Sequence, residues 1–158
     1  VIATSDTLLD QVNQAIQNQK AACQRQEIIE QSLSNCYGIR VDTQAEGLNA
    51  LNDVASEHVV LLVDDYEPLL KGLNHGGLIF CGPYTPVALG DYLMGPNHVL
   101  PTGRTARFAS PLGVMDFMKY SSYMHVTKER LNASRQTMQC LTDIEGFDAH
   151  GKSIEVRF

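Results

Sequence analysis

A carboxylate stands close to a histidine at three places in the chain, and these residues are the ones best suited to chemistry. A carboxylate and an imidazole together can move protons near neutral pH, or they can bind a divalent metal ion. Without a role in chemistry, each of these pairs would be a polar helix end or a solvated turn. The three clusters are Glu57 with His58, Asp91 with His98, and Glu145 with His150.

The middle cluster lies in the stretch ALGDYLMGPNHVLPTG, residues 88–103. Asp91 and His98 would share a face of an unbroken helix, but Gly95-Pro96 interrupts any helix between them. The spacing therefore does not establish a site. What remains is a carboxylate near a helix C-terminus and an imidazole on a rigid loop, both able to bind a metal ion or a cationic ligand.

Motifs that would name another chemistry are missing from the sequence. No GxGxxG fingerprint, P-loop or GxSxG elbow follows a strand candidate. A net charge of -6 without a basic cluster predicts no positively charged surface that would bind nucleic acid. We therefore expect a small polar ligand or another protein as the partner. Two remaining histidines without a nearby acidic residue, His75 and His125, are predicted to be surface or packing residues.

Composition predicts a packed, soluble protein. The 158 residues include 44% hydrophobic ones, enough for the core of one domain. No apolar run is long enough to span a membrane, and the N-terminus does not resemble a signal peptide, so we predict a cytoplasmic protein. The four cysteines lack metal-ligand spacing and are predicted to be buried or incidental thiols.

Strand-like and helical patterns alternate through the first part of the chain, which predicts an α/β fold with a mainly parallel sheet. The run HVVLLV, residues 58–63, is typical of a strand covered on both faces. The other strand candidates are residues 1–4, 38–41 and 76–82. Helix starts are predicted at four capping residues. These are Ser5 or Asp6, Thr43 with Glu46, Thr85 before Pro86, and Thr127.

The character changes in the last part of the chain. We divide the protein into an α/β part at residues 1–110 and a mainly helical tail at 111–158. The tail is predicted to contain a possible strand at 123–126, a long helix after Thr127, and a turn and strand at its end. It carries too little apolar surface to form its own core, so we expect it to pack on something else, possibly a second subunit.

Taken in order, four motifs resemble the C-terminal half of the histidinol dehydrogenase family. They are ASEHV (55–59), NHGGLIFCGPYTP (74–86), ALGDYLMGPNHVLPTGRTARFASPLGVMDF (88–117) and EGFDAHGKSIEVRF (145–158). The resemblance spans essentially the whole chain. It implies an incomplete Rossmann-like layer followed by the helical tail. It also implies oxidation of L-histidinol to L-histidine in histidine biosynthesis, with zinc and two successive molecules of NAD.

The resemblance also implies roles for the clustered residues. His58 would accept a proton as hydride leaves, and Glu57 would activate the water that hydrates the aldehyde. Asp91 and His150 would bind zinc. All but Glu57 would bind or line the substrate site: His58, Asp91, His98, Glu145 and His150. In the family the last two reach into the partner's site, which implies a homodimer with exchanged tails.

Members of the family are longer, and the part upstream of the match carries the NAD-binding region. It also carries a Gln and a His, in a motif resembling DQAEH, that complete the zinc site. The chain therefore contains no expected NAD-binding residue and only half of the expected zinc ligands, so we expect it to be inactive alone. It could be a fragment, a natural half-protein, or a non-catalytic binding or dimerisation module. Two residues depart from the family pattern, Ser56 for proline and Arg104 for a small residue.

Overall fold

The computed structural model describes all 158 residues, which divide into two compact units, Val1–Phe117 and Met118–Phe158. Four short strands and five helices form the first unit, and two helices form the second. The strands are β1 (Ile2–Ala3), β2 (Ile39–Arg40), β3 (His58–Leu61) and β4 (Leu78–Cys81). The helices are α1 (Asp6–Lys20), α2 (Gln26–Leu33), α3 (Gln44–Val54), α4 (Glu67–Gly72), α5 (Val87–Tyr92), α6 (Lys128–Glu145) and α7 (Asp148–Glu155). Two 3-10 turns, Thr105–Arg107 and Val114–Phe117, follow α5.

The strands pair in parallel, as the alternation of strands and helices predicts. They form two separate two-stranded sheets, β1 with β2 and β3 with β4. The second sheet is in register from His58 opposite Leu78 to Leu61 opposite Cys81. The α/β class and the mainly helical tail are both confirmed.

The main core lies on one face of the β3–β4 sheet. Val59 and Leu61 point to this face, where they pack against Leu69 and Leu73 from α4 and its end. Residues of α3 and of β4 complete the cluster around them. They include Leu48, Leu51 and Ile79.

Helix α5 covers part of the opposite face. Side chains alternate along a strand, so His58 and Val60 point away from the core, as do Leu78 and Phe80 on β4. Phe80 is buried there. A Cβ added to Gly90 would lie 2.7 Å from Leu78 Cδ2 and 2.9 Å from Phe80 Cε1. Only glycine therefore lets α5 approach β4 this closely.

The prediction that β3 is covered on both faces is wrong for this chain. Val60 is 44% exposed and Leu62, just past the strand, is 67% exposed, whereas Leu61 is 3% exposed. The apolar run indicated burial on both sides, but α5 has only six residues, and its Gly90 packs on Leu78 and Phe80 of β4, which leaves Val60 exposed.

Three of the four predicted caps are present. The hydroxyls of Ser5, Thr43 and Thr127 each accept a hydrogen bond from the backbone N–H three residues later. The Glu46 carboxylate accepts from the N–H of Asp42, the residue before the Thr43 cap, rather than from Thr43 itself. These bonds use backbone donors that a helix start leaves unpaired.

Thr85 is not a cap. Its hydroxyl donates to the Cys81 carbonyl at 2.7 Å, and Pro86 is the residue before the first helical one. The cysteines are all free, but Cys23, Cys36 and Cys140 are exposed rather than buried.

The second unit is a helical corner, and two strand predictions within it are wrong. Residues 123–126 form no strand because no other strand lies beside them to pair with. The C-terminal segment is helix α7, packed on α6 at Gly151, where an added Cβ would lie 2.9 Å from Gln139 Oε1. The ion pair of Asp148 with Lys152, one turn apart, supports the helix. Helix packing outweighs the local strand preference of the Ile154 to Val156 run.

No helix in either unit combines the length and apolarity needed to cross a membrane.

Candidate active site

The Glu57-His58 pair is held at the start of β3 by its backbone. Helix α3 ends at Val54 and is capped by Ala55, a buried residue in the left-handed conformation (φ 51°) that turns the chain toward the strand. Beyond it, the Ser56 carbonyl accepts from Gly77 N at 3.0 Å, and the Glu57 carbonyl accepts from Leu78 N at 2.8 Å. Both peptide groups are thus fixed to the neighbouring chain before β3 begins.

The His58 imidazole lies between two carboxylates. Its Nδ1 is 4.0 Å from Glu57 Oε1, and its Nε2 is 4.0 Å from Asp91 Oδ1. These distances are too long for hydrogen bonds but short enough for ion pairs when the ring is protonated. All three side chains are partly exposed, so a ligand can reach them.

One ring nitrogen of His58 has no partner. Nε2 is buried and makes no hydrogen bond, although other parts of the side chain are exposed. A buried polar atom left unpaired costs about 1–3 kcal/mol, so such atoms are expected to have a functional reason. The Phe80 ring, 5.9 Å from the imidazole between centroids, packs beside it on the same face of the sheet.

Asp91 reaches His58 because α5 packs on the start of β4. The neighbouring Gly90 lies against Leu78, the residue that pairs with His58, so this part of α5 lies at the end of the sheet where β3 begins. Asp91 stands next to Gly90, the residue that allows α5 to lie against Phe80. The sequence predicted a carboxylate near a helix C-terminus, and α5 ends one residue later at Tyr92.

His98 is exposed on the loop after α5 and makes no hydrogen bond or ion pair with Glu57, His58 or Asp91. The loop itself is ordered by local bonds. The Asn97 side chain accepts from Val99 N at 2.7 Å, and the Val99 carbonyl accepts from Leu112 N at 3.0 Å.

Glu145 and His150 belong to the second unit. Glu145 is the last residue of α6, and Gly146 (φ 73°) caps that helix. His150 lies in the first turn of α7, with its ring stacked on Phe147 at 5.2 Å between centroids. The helical corner thus presents one carboxylate and one imidazole close together in the chain.

The donors in this chain do not make up a metal site. No group of three or more His, Cys, Asp and Glu side chains is placed to hold an ion. Asp91 has a single histidine beside it, and a stable zinc site normally has three or four protein ligands.

The contacts of Phe80, Arg104 and Arg107 were not predicted from the sequence. Phe80 flanks His58, and the guanidinium groups of Arg104 and Arg107 both donate to the backbone carbonyl of Asp53, near the end of α3. The mismatch of Arg104 with the family pattern was the one signal available for this contact. His75, predicted to be a packing or surface residue, has a buried Nδ1 without a partner, and His125 is exposed.

Comparison with known proteins gives one consistent result. The family model described as histidinol dehydrogenase matches residues 1–158. A histidinol dehydrogenase from Acinetobacter baylyi is 41% identical over 158 residues, and one from Syntrophotalea carbinolica is 45% identical over 147 residues. The matches cover 99% and 92% of this chain but only 37% and 34% of those relatives.

A solved structure agrees with these sequences. The crystal structure of histidinol dehydrogenase from Elizabethkingia anophelis matches with a TM-score of 0.93 and 28% identity, covering 99% of this chain and 36% of that one. The chain therefore spans somewhat more than a third of the length of its relatives. With the whole chain matched by the family model, the protein belongs to the histidinol dehydrogenase family.

Proposed function

We propose that this chain supplies the proton-handling and substrate-binding part of a histidinol dehydrogenase, the enzyme that oxidises L-histidinol to L-histidine. The observation that carries the proposal is the His58 imidazole, whose buried Nε2 is unpaired and 4.0 Å from the Asp91 carboxylate. An unpaired ring nitrogen that faces a carboxylate can receive a proton from a bound alcohol.

In the proposed reaction His58 acts as the base. The alcohol O–H gives its proton to Nε2 while the adjacent carbon gives up hydride, which leaves an aldehyde. Water then adds to the aldehyde carbon, and Glu57 takes a proton from that water. A second hydride leaves the hydrate, and the product is the carboxylic acid. Two successive molecules of NAD would each accept one hydride when bound.

The surroundings of His58 suit this role. The carboxylates of Glu57 and Asp91 each lie 4.0 Å from one of its ring nitrogens, so they would face the ring after it takes a proton. Phe80 packs beside the ring, and the backbone bonds at Ser56 and Glu57 fix the main chain just before His58. A base held in one orientation loses less freedom on reaching the transition state.

The remaining site residues belong to the same proposal. Asp91 and His150 would bind zinc, and His98 and Glu145 would contact the substrate. Because this chain holds no three-ligand cluster, further ligands must come from outside it. We propose that His150 and Glu145 act in a partner's site, in a homodimer. The chain alone is then expected to reduce no NAD.

Titration of the chain with L-histidinol in the presence of zinc tests the proposal, with the His58 ring signals in nuclear magnetic resonance spectra as the readout. The wild-type chain should show saturable shifts. Asp91→Ala and His150→Ala should each weaken binding about tenfold or more. His125→Ala is the matched control and should bind like the wild type.

Equal binding by all three variants would contradict the proposal. It would favour a non-catalytic binding or dimerisation module in which the acidic and histidine residues no longer act.

A further inference from the structure

Two arginines from the turn after the His98 loop converge on one carbonyl at the end of α3. Arg104 Nη2 donates to the Asp53 carbonyl oxygen at 2.7 Å, and an Arg107 guanidinium nitrogen donates to the same atom. Both contacts join segments that are remote in the sequence. The turn that carries both arginines is closed by the Thr105 hydroxyl, which donates to the Thr102 carbonyl at 2.7 Å.

The Asp53 carbonyl lies at the C-terminal end of α3, where a positive charge stabilises a helix. The last carbonyls of α3 lack partners within the helix and carry its negative end charge. Helix α3 has no basic residue in its own last turn. Arg104 and Arg107 therefore supply the positive charge that the sequence of the helix does not.

Arg104 makes this contact from an unfavourable backbone conformation. Its φ is 70°, in the left-handed region where a side chain other than glycine or asparagine is rarely found. Gly103 beside it also has a positive φ of 57°. A strained residue persists where its surroundings hold it, and the bond to Asp53 is a contact that holds the Arg104 side chain.

The end of α3 is also where the catalytic pair is fixed. Ala55 follows two residues after Asp53, and the next two residues, Ser56 and Glu57, are bonded to Gly77 and Leu78. An anchor at Asp53 thus limits movement of the peptide groups that orient Glu57 and His58. The same anchor ties the turn at residues 102–107 to this helix end.

We propose that Arg104 is a positioning residue, which holds the end of α3 and thereby orients the Glu57-His58 pair. Its consequence for catalysis rests on the function proposed above, whereas its effect on the orientation of the pair does not.

The experiment measures amide hydrogen exchange and the His58 ring nitrogen signals in the 158-residue chain, without substrate. Arg104→Gly removes the guanidinium while suiting the positive φ, so the thermal midpoint should be unchanged or higher. The Gly77 and Leu78 amides should exchange roughly three- to tenfold faster, the range expected for one lost hydrogen bond, and the His58 signals should shift.

Three comparisons complete the test. Arg104→Asn also tolerates a positive φ and should behave like Arg104→Gly, whereas Arg104→Lys keeps the cation and should restore slower exchange. The Gly82 amide bonds to Leu61 at the opposite end of the same sheet and should not change. Unchanged exchange at Gly77 and Leu78 in both Arg104→Gly and Arg104→Asn would overturn the proposal, as would equal acceleration at Gly82.

Because no substrate is present, the result stands whether or not the chain binds histidinol.

Discussion

Asp91 Oδ1 lies 4.0 Å from Nε2 of His58, although one residue is on α5 and the other begins β3. Two local features produce this relationship: the parallel pairing of β3 with β4, and the absence of a side chain at Gly90, which lets α5 pack on Leu78 and Phe80. A substitution at Gly90 therefore tests the packing that places Asp91 beside His58.

Gly90→Ala should destabilise the first unit and displace Asp91 from His58. Alanine favours a helix over glycine by about 0.5–1 kcal/mol, but forcing a methyl group into a packed contact costs about 1–3 kcal/mol. Because the new Cβ would meet Leu78 and the buried Phe80 below 3 Å, the steric cost should dominate. Urea unfolding measures the change. Gly113→Ala is the control, since its Cβ would meet only Asp116 Oδ2 at 3.9 Å. Equal stability of both variants would contradict the packing described for α5.

Leu61→Ala should lower the free energy of unfolding by about 2–5 kcal/mol, because Leu61 is a member of the buried cluster beneath β3. Leu62→Ala changes the neighbouring leucine, which is 67% exposed, and should alter stability by no more than about 0.5 kcal/mol. The pair of variants, measured by chemical unfolding of the chain, distinguishes the inward from the outward residue. A larger effect at Leu62 would mean that Leu62, rather than Leu61, faces the core.

The second unit should lose stability in acid through Glu155. Arg135 donates two hydrogen bonds to this carboxylate and holds the pKa of Glu155 below its ordinary value. A lowered pKa in the folded state means that the contribution to stability is full above the unfolded pKa, about 4.3, and is lost as the pH falls through the lower folded value. The effect should be small because the pair is exposed.

Thermal unfolding of α6 and α7 at a series of pH values checks this, with Glu155→Gln as the variant. The variant should be slightly less stable than the wild type at neutral pH and should show a smaller loss on acidification. Arg135→Gln should match it, and the double variant should add little, because both changes remove one interaction. Additive losses would exclude the ion pair as the cause.

Local sequence signals predicted most of the fold. Ser5, Thr43 and Thr127 mark helix starts because capping depends on a few neighbouring residues. The end of the chain was predicted wrongly as a strand because its helical form depends on packing between Gly151 and α6, a contact between segments. The exposure of Val60 likewise depends on the length of a different element, α5.

In the candidate site, too, local features were predicted from the sequence and contacts between segments were not. The motif around Glu57-His58 identified the pair, and the break at Gly95-Pro96 was predicted from residue type. The distance from His58 to Asp91 and the contacts of Phe80 and Arg104 depend on how β4, α5 and the following turn pack together. Spacing within one segment carries no information about such contacts.

We have proposed that Glu57, His58 and Asp91 lie in the active site of a histidinol dehydrogenase. The most direct measurement replaces the matching segment of the Acinetobacter baylyi relative with this chain and follows NAD reduction by L-histidinol. We expect turnover in the exchanged protein, a loss of about 10²- to 10⁴-fold for His58→Asn, and unchanged turnover for His125→Asn. A folded exchanged protein that reduces no NAD, or one in which His58→Asn is fully active, would exclude this role for His58 and its neighbours.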